Sequence, residues 1–395
     1  MARRIRLLIP MLAGYGLFTG CVREMLYPIS TPDDKYGYID HKGRMVIEPT
    51  RCNVSEFKNG MGIIDATDRS DDLQRSFNKP DIYFINSKGQ RIITLDLPHS
   101  FTSPFLAHTH FSEGKIRVEP GFFSAARGVQ FYGTDGKLSF TNYYQNATDF
   151  SCGLAAVKLN GKYGYINGKG ALVISNSFDN AWNFFTKNKA IVELNGKWGV
   201  INRNGDFVLP PQYGFLWPST GSYLLAQNAE KTSWGLIDIY GRQADTNSFK
   251  NASRFVNGFA VVENPETHKL YFINDKGKRI TSFSFDEFLH FSEGFAGIEI
   301  NGKWGFINHT GKIIVEPQYE DIIGFSEGLA GVKLNEKWGF INRSGKVIIP
   351  FQFCVAESFK GGLAKVETEN EYGYINTKGR YVWKMAYDES NSNGE

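Results

Sequence analysis

Few residues in this sequence combine the types and the spacing that suggest chemistry. His108 and His110 lie two residues apart, so on a β-strand their imidazoles would share one face as a candidate metal pair. No Cys or third His nearby completes a ligand set, and we therefore expect no metal site. The sequence also contains no nucleophile elbow, zinc-protease helix, phosphate loop or dinucleotide fingerprint. It predicts a protein with no catalytic residue and no cofactor.

The first of the four cysteines, Cys21, marks a targeting segment. It follows three arginines and an apolar run over residues 7–18 that is too short to span a membrane. The residues Phe18-Thr19-Gly20-Cys21 resemble a bacterial lipobox, with Phe18 in place of the usual Leu. This resemblance implies that residues 1–20 are a signal peptide and that lipidated Cys21 anchors a bacterial envelope protein, at a membrane surface or in the periplasm. Ordinary secretion and an uncleaved N-terminal anchor are the alternatives.

The other cysteines are Cys52, Cys152 and Cys354. They are widely spaced and odd in number, which is typical neither of a disulfide framework nor of a metal site. We expect small buried apolar side chains at these positions. The alternative is that one pair becomes oxidised in an exported protein.

One short sequence dominates the rest of the chain. Residues 301–308 read Asn-Gly-Lys-Trp-Gly-Phe-Ile-Asn, and a close copy follows 34 residues later at 335–342. Ten copies appear when they are aligned on the position after the Trp, which is usually Gly. That position, called the glycine slot below, holds Gly37, Tyr83, Gln130, Gly164, Gly199, Gly235, Tyr271, Gly305, Gly339 and Gly373. A fixed period of this length indicates a repeat array rather than one compact domain.

Each repeat predicts three strands. An Asn-Gly turn at 301–302 joins the first strand to the Trp-Gly strand, and an Asn-x-x-Gly turn at 308–311 leads to the third. In the Trp-Gly strand, Trp304 and Phe306 alternate with Gly305 and Ile307, so both faces need a covering neighbour. The slot before the glycine also accepts Ile82, Val129, Tyr163 and Leu270, which favours a packing role over a ligand platform.

These features predict an all-β fold, a tandem array of about ten 34-residue antiparallel β-meander repeats over residues 35–387. Residues 21–34 are expected to be a tether, and the polar residues 388–395 a disordered tail. Three strands per repeat fit a typical four-stranded propeller poorly, and no spare strand is evident for closure. We therefore expect an open superhelical stack, with a closed propeller-like ring as the alternative.

The sequence Lys-Trp-Gly-Phe-Ile-Asn-x-x-Gly-Lys at 303–312 resembles the bacterial WG-repeat family. The resemblance extends over about residues 35–383 and is weakest in the second and third copies. It implies an all-β protein of a kind common among exported bacterial proteins, without an established catalytic role or shared ligand residues. No site residue therefore transfers to this chain.

Function is expected where the repeat is interrupted. Insertions in the first hairpin occur at 65–80, 119–127, 228–232 and 264–268, and an extension covers 94–110. Insertions on one edge of an array often form its binding surface, although exposed hairpin tips also tolerate insertion without any function. The candidate binding residues in these segments are Asp68, Asp71, Asp72, Arg75, His108, His110, Phe122, Phe123 and Arg127.

The sequence thus predicts a non-enzymatic, lipid-anchored interaction protein that binds an envelope protein or a glycan. The net charge of +3 with interleaved acids and bases gives no support for nucleic-acid binding. One alternative is a cell-wall or carbohydrate-binding module that resembles choline-binding repeats, with aromatic slots between hairpins. Exposed Trp198, Trp304 and Trp338 would favour that alternative. The other is an enzyme with an unrecognised site in residues 65–135.

Overall fold

A computed structural model describes residues 25–58, 60–66, 81–97, 111–119, 128–219, 223–244 and 248–387. These residues form ten small sheets, numbered here in chain order, and every strand pair is antiparallel. No helix in the described residues is long and apolar enough to cross a membrane. The tandem all-β array predicted from the sequence is confirmed.

The strands follow one another along the chain. Sheets 1 to 5 contain, in turn, β1 (Tyr27–Ser30), β2 (Tyr36–Ile39) and β3 (Met45–Thr50); β4 (Asn53–Val54), β5 (Gly62–Asp65), β6 (Ile82–Ile85) and β7 (Arg91–Thr94); β8 (Lys115–Val118) and β9 (Gln130–Gly133); β10 (Asn146–Ala147), β11 (Leu154–Leu159), β12 (Lys162–Asn167) and β13 (Leu172–Phe178); and β14 (Asn180–Thr186), β15 (Lys189–Leu194), β16 (Lys197–Ile201) and β17 (Phe207–Tyr213). Sheets 6 to 10 contain β18 (Phe215–Trp217), β19 (Tyr223–Gln227) and β20 (Trp234–Asp238); β21 (Phe259–Glu263) and β22 (Leu270–Asn274); β23 (Glu287–Phe288), β24 (Phe295–Ile300), β25 (Lys303–Asn308) and β26 (Ile313–Tyr319); β27 (Asp321–Ser326), β28 (Leu329–Leu334), β29 (Lys337–Asn342) and β30 (Val347–Phe353); and β31 (Val355–Ala356), β32 (Leu363–Glu367), β33 (Glu371–Asn376) and β34 (Tyr381–Ala386).

A complete sheet has four strands, named A to D from the first to the last. In sheet 9 these are β27 to β30, paired in that order. Strand C is the Trp-Gly strand. The segment expected to be a link between repeats forms strand A, so the predicted count of three strands per repeat was wrong. Sheet 1 has only strands B, C and D in the described residues.

The two predicted turns have the expected backbone. Asn301 and Gly302 both adopt positive φ, at 53° and 76°, as a two-residue type I′ hairpin requires. At the C–D turn, Asn308 Oδ1 accepts hydrogen bonds from the backbone N–H groups of Thr310 and Lys312 at 3.0 and 3.1 Å. Gly311 completes this turn with φ of 82°. Side-chain capping and a left-handed glycine thus fix the direction of strand D.

The glycine slot has a specific steric cause. Strand D is bulged where it passes Gly305, because Trp304 pairs with Tyr319 but Phe306 already pairs with Val315. A Cβ at Gly305 would overlap the carbonyl oxygen of Val315. Equivalent bulges occur in sheets 1, 4, 5 and 9. The glycine is therefore required where the backbone of strand D passes closest to strand C.

Both faces of the Trp-Gly strand are buried, as predicted. Phe306 packs with Val332 of the following sheet, whereas its neighbour Ile307 packs with Val261 and Phe272 of the preceding sheet. Alternation along one strand therefore links three successive sheets. Each sheet depends on its neighbours for its core, which is the property of a repeat array.

The two ends of the array are in contact. Tyr27, Ile29 and Ile39 of sheet 1 share a core with Leu363 and Tyr374 of sheet 10. The described residues thus contain ten inter-sheet cores, whereas a row of ten sheets with separated ends has only nine. No strand pairing joins sheets 1 and 10. They meet by side-chain packing, as neighbouring sheets do elsewhere.

Hydrogen bonds reinforce this junction. The Tyr374 hydroxyl donates to the Pro28 carbonyl at 2.7 Å, and the Tyr372 hydroxyl donates to the Ser30 carbonyl. At the other side of the sheets, Lys360 forms an ion pair with Glu56 at 3.0 Å. Burial raises the pKa of Tyr374 above its ordinary value, so this hydroxyl remains a donor at physiological pH.

One expectation needs correction here. The predicted tether reached residue 34, but Leu26 is buried and β1 is part of sheet 1, because the apolar residues of Tyr27–Ser30 cover the last sheet. The ends of the array touch by side-chain packing, but no strand pairing in the described residues joins them into a closed ring. The fourth strand removes the strand-count argument against the propeller-like alternative. Residues 1–24 and 388–395, including the predicted signal peptide and tail, lie outside the described residues.

Candidate functional site

The strand order gives every sheet two different edges. The B–C hairpins lie at one edge together with the D-to-A links, and we call this the hairpin edge. The A–B and C–D turns lie at the other edge, the turn edge, because antiparallel strands reverse direction at each connection. An ion pair of 3.0 Å between Arg343, in a C–D turn, and Glu293, in an A–B turn, agrees with this placement.

The insertions lie at the hairpin edge. Asp65 pairs with Ile82, and Val118 pairs with Gln130, so the first two insertions connect strand B to strand C as predicted. Their central residues are outside the described part of the chain. The same holds for Cys21 and for the candidate binding residues Asp68, Asp71, Asp72, Arg75, His108, His110, Phe122, Phe123 and Arg127.

The insertion at 228–232 forms a compact hairpin tip. Asn228 Oδ1 accepts hydrogen bonds from the N–H groups of Thr232 and Ser233 at 2.8 and 3.2 Å. Its Nδ2 donates to the Thr232 hydroxyl at 2.8 Å. One asparagine thus satisfies the backbone of the tip, and the side chains of Glu230 and Lys231 remain exposed to solvent.

The insertion at 264–268 carries a small polar network. His268 Nδ1 lies 2.9 Å from Glu263 Oε1 and 2.9 Å from Lys250 Nζ. Burial would raise the pKa of Glu263, but hydrogen bonds from His268 and Asn251 lower it below its ordinary value. The network is exposed on the His268 and Lys250 side. It stabilises the hairpin and offers charged groups to a partner.

The extension at 94–110 is described only at its start. Leu95 and Leu97 are buried in the core between sheets 2 and 3, so this part packs rather than projects. In the described ranges, no group of three or more His, Cys, Asp and Glu side chains is arranged to hold a metal ion.

The tryptophans that precede the glycine slot pack in the cores between sheets. Trp198 is 5% exposed. Trp304 and Trp338 are half-buried and pack against the cores on the C-terminal side of their sheets. The exposure that would favour stacking slots for sugars is absent at Trp198.

A different aromatic group lies between sheets 5 and 6. Trp182 has ring contacts with Trp198, Phe215 and Trp217 at centroid distances of 5.7, 5.5 and 5.3 Å. Trp182 and Trp217 belong to A strands and are half-buried. Neither residue belongs to the repeated motif, so the sequence pattern does not single this group out. Trp182, Phe215 and Trp217 form what we call the aromatic row.

The three described cysteines are unpaired. Cys52 is buried in the core between sheets 1 and 2, as expected, whereas Cys152 and Cys354 are half-buried. A cavity of about 150 Å³ lies in sheet 6, lined in part by Tyr213, Asn228 and Trp234. It is smaller than the 300–1,000 Å³ typical of ligand pockets.

The profile of the WG-containing repeat matches residues 36–64, 131–163, 163–198, 198–231, 272–304, 304–338 and 338–372, which is more than half of the chain. The chain belongs to the WG-containing repeat family. The matched segments omit much of the second copy, where the glycine slot holds Tyr83. No curated protein matches the sequence.

Several solved structures align with this WG-repeat protein, and the first below, with a TM-score above 0.5, is similar to it in fold. A eukaryotic initiation factor aligns with a TM-score of 0.51 and 11% identity, covering 92% of this chain and 96% of the other. Hsv2 from Kluyveromyces lactis has a TM-score of 0.30 and 11% identity over 56% and 86% of the chains. The dihydro-heme d1 dehydrogenase NirN has a TM-score of 0.33 and 10% identity over 69% and 71%. Identities this low concern the fold alone.

Proposed function

We propose that this WG-repeat protein is a non-catalytic interaction protein of the bacterial cell envelope, which binds a protein or glycan partner through its hairpin edge. The observation that supports this proposal is the placement of the insertions. All four connect strand B to strand C, so the array varies in length at one edge. Apart from the extension at 94–110, the other connections keep a nearly constant spacing, as expected of a scaffold.

The path of the N-terminus also supports the hairpin edge as the binding edge. Strand β1 occupies the B position, and Tyr27 at its start pairs with Ile39, next to the C–D turn. The chain therefore enters the array at the turn edge. A lipid on Cys21 would hold this edge toward the membrane and leave the hairpin edge facing away, where a partner has access.

Capture from an envelope extract tests the binding edge. We expect the intact protein to capture a defined partner, and a variant with shortened 65–80 and 119–127 loops to lose it. A matched control shortens 228–232 to the Asn-Gly turn of the regular repeats. Equal capture by the intact protein and the double-loop variant, with unchanged melting temperatures, would remove the edge hypothesis.

Membrane fractionation tests the anchor separately. We expect the full chain to sediment with membranes and to incorporate labelled fatty acid. The Cys21→Ser variant should appear in the soluble fraction without label. Retention of the variant in membranes would favour an uncleaved N-terminal anchor, and secretion of both proteins would favour an ordinary signal peptide.

The aromatic row supports a second candidate function, binding of a cell-wall carbohydrate. Half-buried indole rings supply apolar faces on which sugar rings stack. We expect peptidoglycan fragments to change the tryptophan fluorescence of the protein, and Trp182→Ala to abolish the change. Trp304→Ala is the matched control at a tryptophan of the repeat. A signal that is the same in both variants would exclude the row as the ligand site.

A further inference from the structure

Basic side chains recur at the turn edge of every sheet. Each of the ten C–D turns carries at least one exposed Lys or Arg, although these residues lie about 34 positions apart in the sequence. They are Lys42, Arg44, Lys88, Lys137, Lys169, Arg203, Arg242, Lys276, Lys278, Lys312, Arg343, Lys346, Lys378 and Arg380. Folding therefore assembles a basic rim that no single segment of the sequence contains.

Acids offset part of this rim. Asp135, Asp206 and Asp275 also lie in the C–D turns, and Asp40 and Asp238, which cap their own turns, form ion pairs with Arg44 and Arg242. The fourteen basic residues named above still outnumber these five acids. The carboxylate of Glu293, in an A–B turn, is bonded to the backbone of the next turn and to Arg343. Lys169, Lys312, Lys346 and Lys378 have no ion pair within the described residues. Their charges face solvent.

Exposed apolar side chains lie beside the basic residues. Most of the large exposed hydrophobic residues in the described chain are in the C–D turns or at the start of strand D. They are Met45, Ile92, Leu138, Leu172, Val173, Phe207, Tyr240, Val347 and Ile348. Tyr240 is the most exposed, at 67%. Basic residues next to apolar and aromatic ones are typical of surfaces that rest in a membrane interface.

The hairpin edge has a different character. Its exposed acids include Asp33, Asp34, Glu230, Glu266, Glu320, Asp321, Glu336 and Glu369, and its exposed bases include Arg51, Lys231, Lys250, Lys269 and Lys303. The net charge of only +3 hides this separation between the two edges. A negatively charged surface would attract the turn edge and repel the hairpin edge.

We infer that the turn edge docks on an anionic lipid surface. The basic rim would contact the headgroups, and the apolar side chains at the start of strand D would enter the interface. This inference rests on the proposed envelope location, and it deepens that proposal, because the chain also enters at the turn edge. The rim would hold the turn edge against the membrane surface on which a lipid on Cys21 anchors the chain.

Vesicle sedimentation tests the inference without the anchor. A chain that begins at residue 22 keeps all ten described cores and lacks the predicted signal peptide and Cys21. We expect it to bind vesicles with about 30% phosphatidylglycerol and not to bind neutral phosphatidylcholine vesicles. Added salt should release it from the anionic vesicles, because salt screens the charges. Failure to bind anionic vesicles, or equal binding to both kinds, would overturn the inference.

Two charge-matched variants locate the binding surface. The triple variant Lys169→Glu, Lys312→Glu and Lys378→Glu should lower the partition onto anionic vesicles at least tenfold. Each substitution removes one attraction between a basic side chain and the anionic headgroups. The control Lys231→Glu, Lys303→Glu and Lys333→Glu changes the net charge equally at the hairpin edge and should bind like the parent. Equal losses in the two variants would overturn the inference.

Acidic macromolecules are the competing occupants. Binding of the parent to polyglutamate or duplex DNA, lost in the rim variant and unmatched by any vesicle binding, would assign the rim to those partners instead. The rim variant should still capture the partner of the hairpin edge. Failure of the lipid inference is thereby distinguished from failure of the proposed interaction function.

Discussion

Sheets 7 and 8 are neighbours with nearly the same repeat, yet they treat the glycine slot differently. In sheet 8 the slot holds Gly305, and a full, bulged strand D crosses it. In sheet 7 the slot holds Tyr271, and the segment after the C–D turn forms no strand: it meets strand C through the isolated bridges Leu270–Phe285 and Ile273–Arg279 and a hydrogen bond from the Ile280 N–H to the Phe272 carbonyl. The side chain of Arg279 lies over the Tyr271 ring, 4.4 Å from its centroid.

Sheet 2 shares the tyrosine and the arginine but keeps strand D. Its slot holds Tyr83, strand D lacks the bulge at that point, and Arg91 lies 3.9 Å from the Tyr83 ring centroid. The comparison shows that glycine permits the bulged strand D but does not by itself produce it, because sheet 6 has Gly235 in the slot and its described residues after the C–D turn form the isolated bridges Trp234–Phe249 and Ile237–Gln243 rather than a strand. Where tyrosine fills the slot, no bulge forms opposite it, and an arginine covers the ring.

The largest expected effect is at the glycine itself. Gly305→Ala places a Cβ against the backbone of Val315 and 2.7 Å from the Pro317 nitrogen, and backbone cannot move aside as a side chain tip can. We expect a loss of about 3 kcal/mol in the free energy of unfolding, measured by urea denaturation. In Gly297→Ala, the added Cβ meets the Cδ1 end of Ile322, so this control should lose much less. Equal losses would contradict the steric account.

The second prediction concerns the junction between sheets 7 and 8. Burial, assisted by the positive charge of Arg254, lowers the pKa of His290 from 6.5 to about 4. The unfolded chain therefore binds a proton between pH 6.5 and 4 that the folded chain does not, and stability falls as the pH falls through this window. We expect a loss of about 3 kcal/mol at pH 4. His290→Phe should remove this dependence, and an unchanged pH profile would contradict the assignment.

The third prediction concerns the junction between sheets 8 and 9. Burial opposes ionisation of Glu293, but hydrogen bonds from the Gly328 N–H, Arg343 and the Glu327 N–H lower its pKa below the ordinary 4.5. Its stabilising contribution is therefore present above pH 4.5 and is lost as the pH falls through the lower folded value. Glu293→Gln should lower the free energy of unfolding by about 1–2 kcal/mol at pH 7. The variant should lose no further stability through this site as the pH falls.

The corresponding A–B turn of sheet 7 supplies the control for Glu293. There the Asn257 side-chain amide donates to the Phe291 carbonyl at 2.7 Å. Because an amide does not titrate, Asn257→Ala should lower stability by a similar amount at pH 7 and at pH 4. An acid-dependent loss in this variant would show that the two junctions do not differ in the way proposed.

The smallest expected effect is at the arginine that covers Tyr271. Arg279 Nε donates to the Thr281 carbonyl at 2.7 Å in addition to its ring contact. Arg279→Ala should cost about 1 kcal/mol, and Arg279→Lys about half of that, since the charge remains but the planar stacking is lost. Thermal unfolding of both variants measures the difference. An Arg279→Ala variant with unchanged stability would show that the contact between Arg279 and the Tyr271 ring does not stabilise the fold.

Much of the repeat was predictable from local sequence. The Asn301-Gly302 hairpin, the turn capped by Asn308 and the two-sided burial of the Trp-Gly strand follow from residue types and a period of two. Strand A was not predictable in the same way, because β27 includes Gly324 and has no clear alternation. The candidate binding residues of the insertions remain predictions, since none lies within the described residues.

The sequence by itself determined the unit of this protein: its period, its turns and the alternating side chains of strand C. Only the tertiary structure decided how the ends meet, because contacts such as Tyr374 with Pro28 join residues more than 300 positions apart. It also decided the separation of charge between the two edges. Basic residues spaced one per turn form no run in the chain, and they become one surface only when the sheets pack side by side.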